Sequence, residues 1–329
     1  MTTIGSRART RDRARLDRRA FLQAAGVLGT TALLSACGGG GEGAAQSGRT
    51  RSLEGARGPV EIPAAPARIV CTDHYTPSAL LDVGVEPIAV ADFAPNFLLA
   101  DYVPVYQRLP KVGRTNSADP EKVLSFQPDL VLGTLLPNAP DPSYDRFLAA
   151  VPTLYLPSRA AGDWRERAIA AADAVGRRSA AEELRDTFDR RAQEIRTTHA
   201  DVLGRTRWSM VMGGRNPGQW TLALPDSWGG VVLAAAGIRF SDISQATGTV
   251  KDFSSEELGL LRDSDVIVVQ GDNDGSTSDG VADVLASPVW NSLPAVAAGR
   301  AQPLPYFNTL HYRQGLAMLD RIEEIIRGV

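Results

Sequence analysis

Arg114 and Arg215 each stand just past a short apolar run, and His74, Tyr75, Trp220, Trp228 and Tyr306 fall at comparable places in the chain. Guanidinium groups bind carboxylate and other anionic oxygens through forked hydrogen bonds, and aromatic faces cover the apolar parts of a ligand. An arginine in each half of the chain, with several aromatics, therefore suits a bulky anionic or polar chelate. Trp164, Trp208 and Trp290 read instead as core residues. Direct binding of a metal ion is a poorer reading. Only His74, His199 and His311 are present, too scattered for the compact nitrogen and oxygen set that zinc or manganese needs. Hydrolytic chemistry lacks its parts too. The chain has no Gly-x-Ser-x-Gly, His-Glu-x-x-His or phosphate loop, and Asp141, Asp145 and the Asp272/Asp274 pair lie in polar loops.

A different chemistry belongs to Cys37. It follows Leu34-Ser35-Ala36 at the end of an apolar run, and the four residues resemble a lipobox, where a cysteine receives diacylglycerol and the chain is cut before it. Upstream, Asp17-Arg18-Arg19-Ala20-Phe21-Leu22-Gln23 is similar to the twin-arginine export motif, within a leader that carries seven arginines against Asp12 and Asp17. The stretch from Ala20 to Ala36 is short for a membrane span of about 20 apolar residues and contains Gln23 and two glycines. Residues 1–36 are therefore expected to be a lipoprotein signal peptide. Cys71, in the apolar run Ile69-Val70-Cys71, reads as a buried small hydrophobe with no disulfide partner. The whole chain has a formal charge of −3, which becomes more negative without the arginine-rich leader. Such a body, with no basic block, argues against nucleic acid as a partner.

The elements that must position these side chains alternate. Residues 37–59, rich in Gly, Ala, Ser and Arg, are expected to form a flexible tether with a reach of about 25 Å. Strands are expected at 68–72, 87–91, 130–133 and 153–156, with helices at 77–83, 120–126 and 144–150 between them. A helix over 163–175 precedes a longer one from about Arg178 to Leu203. In the latter, Ala181, Leu184, Phe188, Ala192, Ile195 and Val202 share one face. The alternation then resumes, with strands at 207–212, 219–224, 265–269 and 301–304 and helices at 227–236, 255–261, 281–286 and 311–327. This pattern implies two α/β units with mostly parallel sheets, 60–176 and 204–329, separated by a helical strut over 177–203. In such units ligands meet the loops at the carboxyl ends of the strands. That rule selects His74, Tyr75 and Arg114 from the first unit and Arg215, Trp220, Trp228 and Tyr306 from the second.

Several ordered stretches carry a family resemblance: Pro66-Ala67-Arg68-Ile69-Val70, Val112-Gly113-Arg114, Asp119-Pro120-Glu121-Lys122-Val123 and Phe126-Gln127-Pro128-Asp129-Leu130-Val131. Trp228-Gly229-Gly230-Val231, Phe253-Ser254-Ser255-Glu256-Glu257-Leu258 and Pro288-Val289-Trp290-Asn291-Ser292-Leu293 continue it. Together they resemble the class III periplasmic binding proteins, the solute-binding components of ABC importers for ferric siderophores, haem and vitamin B12. The resemblance implies two Rossmann-like α/β lobes joined by one long helix, with ligand between them. It also implies a lipid-anchored, extracytoplasmic monomer that binds a ferric siderophore, needs no intrinsic cofactor and is not an enzyme. The ABC permease is its implied partner, with Glu121 and Glu256, one per lobe, docking on permease arginines. Siderophore-binding relatives often carry an arginine at the place of Arg114, which makes it the foremost ligand candidate. Haem or a corrinoid stays open as cargo; for haem, His74 or Tyr75 in one lobe and Tyr306, His311 or Tyr312 in the other could ligate iron axially.

Overall fold

The computed structural model describes residues 49–136 and 141–329, so the leader, Cys37 and most of the expected tether lie outside the described residues. The first difference from the sequence reading comes at once. Thr50–Gly55 (β1) and Gly58–Pro63 (β2) form an antiparallel hairpin where the end of the tether was expected. Leu53 and Val60 pack on the core and Ile62 is fully buried, an alternation too sparse among Arg, Gly and Glu to stand out in the sequence.

Six strands make the first lobe's sheet: Ile69–Cys71 (β3), Ala89–Asp92 (β4), Lys111–Arg114 (β5), Ser117–Ala118 (β6), Leu130–Leu135 (β7) and Thr153–Pro157 (β8). Their order is β6-β5-β4-β3-β7-β8, all parallel except β6. Thr76–Asp82 (α1), Val103–Arg108 (α2), Pro120–Ser125 (α3), Tyr144–Leu148 (α4) and Trp164–Ala174 (α5) accompany it. The strands run apolar on both faces, as parallel strands covered by helices do. Leu130 and Leu132 join one core cluster, while Val131 joins another on the opposite face.

The second sheet contains Trp208–Gly213 (β9), Gln219–Ala223 (β10), Val250–Ser254 (β11), Val266–Gln270 (β12) and Ala301–Leu304 (β13), in the order β11-β10-β9-β12-β13. It is mixed rather than mostly parallel. β12 lies parallel to β9 and β13, but β10 is antiparallel to β9 and β11. The short Asn216–Gly218 turn between β9 and β10 leaves no room for the crossover that a parallel pair requires.

Between the sheets runs Arg178–Thr198 (α6), about 30 Å long at 1.5 Å per residue. The expected strut is interrupted at His199 (φ −110°, ψ 21°), and Ala200–Arg205 (α7) follows as a separate turn. Thr197 Oγ bonds back to the Gln193 and Glu194 carbonyls, and the His199 ring is drawn aside to Glu323 at 2.9 Å. Gly230–Ala235 (α8), Ala282–Leu285 (α9), Pro288–Asn291 (α10), Pro294–Ala297 (α11) and Tyr312–Arg327 (α12) complete the second lobe. One apolar cluster runs from Ile69 and Leu132 in the first sheet through Trp164, Phe188 and Met318 to Met210 and Val268 in the second. The lobes therefore share a core.

A buried ionic knot fastens α6 to α12. Glu323 accepts from His199 Nε2 at 2.9 Å and from Arg191 at 2.7 Å, with Arg327 at 2.9 Å. The hydrogen bond from His199, then that from Arg191, pulls its carboxyl from 4.5 down to about 2. A depressed carboxyl stabilises the fold above its unfolded value, and that contribution is lost as pH falls from about 4.5 towards 2. Glu323→Gln should lower stability at pH 7 by about 2 kcal/mol in urea unfolding. It should also flatten the decline between pH 5 and 3 that the unaltered protein shows. A variant with the same acid slope as the unaltered protein would remove Glu323 from this role.

Candidate functional site

At the carboxyl end of β3 the chain turns sharply into α1. Asp73 Oδ1 accepts the Tyr75 and Thr76 amides at 3.1 and 2.9 Å and the Thr76 hydroxyl at 2.7 Å. That turn raises the His74 ring to the top of the sheet, where its Nδ1 meets Thr115 Oγ at 3.1 Å. Thr115 follows Arg114, so the ends of β3 and β5 meet through this contact. Gly113 lets β5 turn closely onto β6 just before Arg114. Its φ is +120°, and a Cβ there would stand 2.9 Å from the Asp119 nitrogen. Arg114 is exposed, with no ion-pair partner among the described residues. His74 thus touches the residue next to Arg114 in the chain, through Thr115.

Aromatic rings close around His74. Tyr75 lies 3.9 Å away between centroids, Phe97 4.7 Å and Phe93 6.1 Å. Burial pushes the His74 ring's pKa below its ordinary value near 6.5, so the neutral form is favoured. Tyr75 is more enclosed than expected. It is 8% exposed, with the buried Arg167 guanidinium 4.6 Å over its face. Arg167, which the sequence reading missed, also donates to Ser158 Oγ at 3.0 Å and pairs with Asp163. Its place three residues into a helix gave no hint that it would fold back under the sheet's edge.

The segment 93–102 leaves the end of β4 and reaches the other lobe. Asn273 Nδ2 donates to the Leu98 carbonyl at 2.5 Å, and Gln314 Nε2 to the Phe97 carbonyl at 3.0 Å. Tyr306 faces it from the second lobe. Burial raises its phenol pKa, and a hydrogen bond with the Ala100 backbone partly offsets this. Tyr306 holds φ 56°, a left-handed conformation rare for a bulky residue. On the other flank Gly162 N donates to the Asp226 carbonyl at 3.1 Å and Trp164 Nε1 to the Trp228 carbonyl at 3.0 Å. Trp228 is half-buried at this inter-lobe seam.

Other expected residues stand elsewhere. Trp220 is a correction. It is fully buried, stacked on Phe253 at 4.7 Å with its Nε1 donating to the Ser254 carbonyl, because alternation along β10 turns it into the outer core. Arg215 is exposed in the β9–β10 turn, its Nε 3.9 Å from Asp252 of the same lobe. His311 and Tyr312, considered as iron ligands, are 0% and 1% exposed, and neither reaches open space. Two adjoining hollows of about 400 and 420 Å³ run between β8 and α5, sharing Leu156, Glu166 and Ala170. They lie beside the first lobe and include none of the expected contacts.

Glu121 and Glu256 are both exposed. Asp119 caps α3 through the Glu121 and Lys122 amides at 3.0 and 3.4 Å, leaving the Glu121 side chain unengaged. In the second lobe Glu257 folds back to the Ser254 amide at 2.9 Å, which leaves Glu256 outward on a 3₁₀ segment over Ser255–Asp263.

Residues 69–305 match the family described as periplasmic binding protein. The chain is 25% identical over 266 residues to a probable siderophore-binding lipoprotein, YfiY, of Bacillus subtilis strain 168, covering 78% of this chain and 80% of that protein. Among solved structures it resembles the siderophore periplasmic binding protein from the fuscachelin gene cluster of Thermobifida fusca. That similarity has a TM-score of 0.73 and 29% identity, over 82% of this chain and 99% of the other. Staphylococcus aureus SirA complexed with staphyloferrin B shares the fold, with a TM-score of 0.69 at 17% identity over 84% and 99% of the two chains.

The environment of His74 has a measurable consequence. Its folded-state pKa is lowered, so the unfolded chain takes up the proton first, and stability falls as pH drops below about 6.5. Thermal midpoints recorded from pH 7.5 to 5.5 should decline for the unaltered protein and less so for His74→Gln. Parallel declines would contradict the buried neutral ring.

Proposed function

Because the chain belongs to the periplasmic binding protein family, we propose that it is the substrate-binding component of an ABC importer and that its cargo is a ferric siderophore. As a family member it binds a solute and is not an enzyme. The observation that supports the cargo reading is the group of rings around His74 at the carboxyl ends of the first lobe's strands, with exposed Arg114 next in the chain to Thr115, which His74 touches. The two-lobed fold matches a siderophore-binding relative over 99% of the relative's length. An exposed guanidinium and aromatic faces fit the anionic oxygens and apolar parts of a ferric chelate. Haem is the weaker fit. The burial of His311 and Tyr312 removes two of the second lobe's three axial-ligand candidates, leaving Tyr306.

The leader supports export by a twin-arginine route and lipid attachment at Cys37, which lies outside the described residues, and the relatives named lipoproteins support the same reading. The protein then works on the outer side of the cell membrane, held by its lipid and acting as a monomer. No helix among the described residues is long and apolar enough to cross a membrane. Residues 60–176 and 204–329 act as the two lobes and 177–203 as the link between them. Glu121 and Glu256 dock on the permease. Two of the three exposed large hydrophobics among the described residues, Leu124 and Leu260, share their helical segments and offer apolar contact beside each carboxylate.

Two measurements test this. Fluorescence titration of a chain beginning after Cys37 uses ferric complexes of hydroxamate, catecholate and carboxylate siderophores, with hemin and cobalamin, and inner-filter controls. One siderophore class should quench saturably below about 1 μM, and Arg114→Ala should weaken that binding at least about tenfold. Hemin binding alone would replace the cargo. Separately, Glu121→Arg with Glu256→Arg should keep ferric-chelate affinity and lose stimulation of the permease ATPase, whereas retained stimulation would refute the docking role.

A further inference from the structure

The first turn of α12 receives its cap from the other lobe. His311 occupies the N-cap position but makes no side-chain capping bond. Asp82, the last residue of α1, takes that place: its Oδ2 accepts the Arg313 N–H, at the second helical position, at 3.2 Å. Its Oδ1 accepts His311 Nδ1–H at 2.8 Å and the Tyr102 hydroxyl at 2.8 Å, with Arg313 Nε 3.9 Å away. Both side chains are sealed, Asp82 at 3% exposure and His311 at 0%. N-caps are ordinarily supplied by the residue just before the helix. Here the cap and the amide it serves are 231 positions apart.

The tautomer of His311 follows from its surroundings. Nε2 is enclosed with no hydrogen-bond partner. A proton there would be an orphaned buried donor, so the proton sits on Nδ1, where the Asp82 carboxylate receives it. The same turn organises both sides of the mouth. Gln314 Oε1 accepts the Leu310 N–H at 3.0 Å while its Nε2 reaches the Phe97 carbonyl. Tyr102, which donates to Asp82, ends the segment that Asn273 and Tyr306 also hold.

We propose that Asp82 is a positioning residue for the inter-lobe site. By capping α12 in trans, it fixes loop 305–310, and with it Tyr306, opposite segment 93–102 of the first lobe. This goes beyond the cargo reading and holds whichever chelate binds.

Hydrogen exchange by mass spectrometry on the full chain in detergent tests it without any cargo, so failure of the siderophore reading would leave the result intact. Asp82→Asn preserves size but cannot present acceptors to His311, Tyr102 and Arg313 together. Exchange in peptides covering 311–316 and 95–102 should rise at least about tenfold, while β7, β12 and α6 change by less than about twofold. His311→Gln should do the same, and the double variant should be no worse than the stronger single, because both remove one device. Tyr102→Phe leaves the cap in place. It should quicken 95–102 and leave 311–316 unchanged. A uniform rise through β7 and α6 would reduce Asp82 to general stability, and unchanged exchange at 311–316 would overturn the cap. Should Asp82→Asn fail to fold, Tyr102→Phe decides: quickening of both segments, or of neither, overturns the proposal.

Discussion

The packing of Trp164, Phe188 and Tyr312 is the constraint on which the two-lobed arrangement rests. The three rings come from α5, α6 and α12, hence from the first lobe, the link and the second lobe. They meet edge to face at 5.9, 5.3 and 6.1 Å between centroids. Gly315 allows this closeness, for a Cβ there would lie 2.9 Å from Phe188 and 3.1 Å from Trp164. Tyr312 extends its hydroxyl to the Arg165 carbonyl at 3.2 Å, and Trp164 spends its indole N–H on Trp228. A triple contact of this kind fixes three helices relative to one another, and each sheet then follows the helices that cover it.

Polar contacts are arranged around that apolar centre. The Glu323 knot joins α6 to α12, and the Asp82 cluster lies where α1 meets the start of α12. Both are buried carboxylates with several donors each, the condition under which a buried charge is tolerated. The mouth differs in kind. Arg114 stays exposed, and the Phe97 and Leu98 backbone carbonyls of segment 93–102 are held by single side-chain amides.

The fold was legible because burial leaves a periodic trace. Strands such as Leu130–Leu135 and Val266–Gln270 appear as unbroken apolar runs, and the face of α6 repeats at spacings of three and four. Hairpin β1–β2 lacked that trace, since only Leu53, Val60 and Ile62 among twelve strand residues pack inward. The break at His199 depended on a side chain 124 positions away, a partner that local periodicity cannot contain. At the site, strand ends placed His74 against Thr115, the residue after Arg114. The same rule misassigned Trp220, because position near a strand end does not say which face a side chain takes. Asp82 and Tyr102 carried no signal at all. An aspartate closing a short helix is ordinary, and its partners come from the far end of the chain.

Magnitudes decide how such a body admits a ligand. Separating the lobes at their centre would expose Trp164, Phe188 and Tyr312, each of which gains about 1.5–3 kcal/mol from full burial, along with the apolar cluster continuous with them. Releasing segment 93–102 breaks the hydrogen bonds from Asn273 and Gln314, that from Tyr102 to Asp82 and that between Tyr306 and the Ala100 backbone, worth about 1 kcal/mol each net. It also uncovers the one buried side chain of that segment, Leu98. The freed carbonyls then gain water instead of being stranded in a dry interior. The rim therefore yields before the core. The least costly place to part the lobes is the segment that carries Phe93 and Phe97 beside His74. The continuous apolar centre resists separation of the lobes, and Asp82 ties the start of α12 to Tyr102 at the end of that segment.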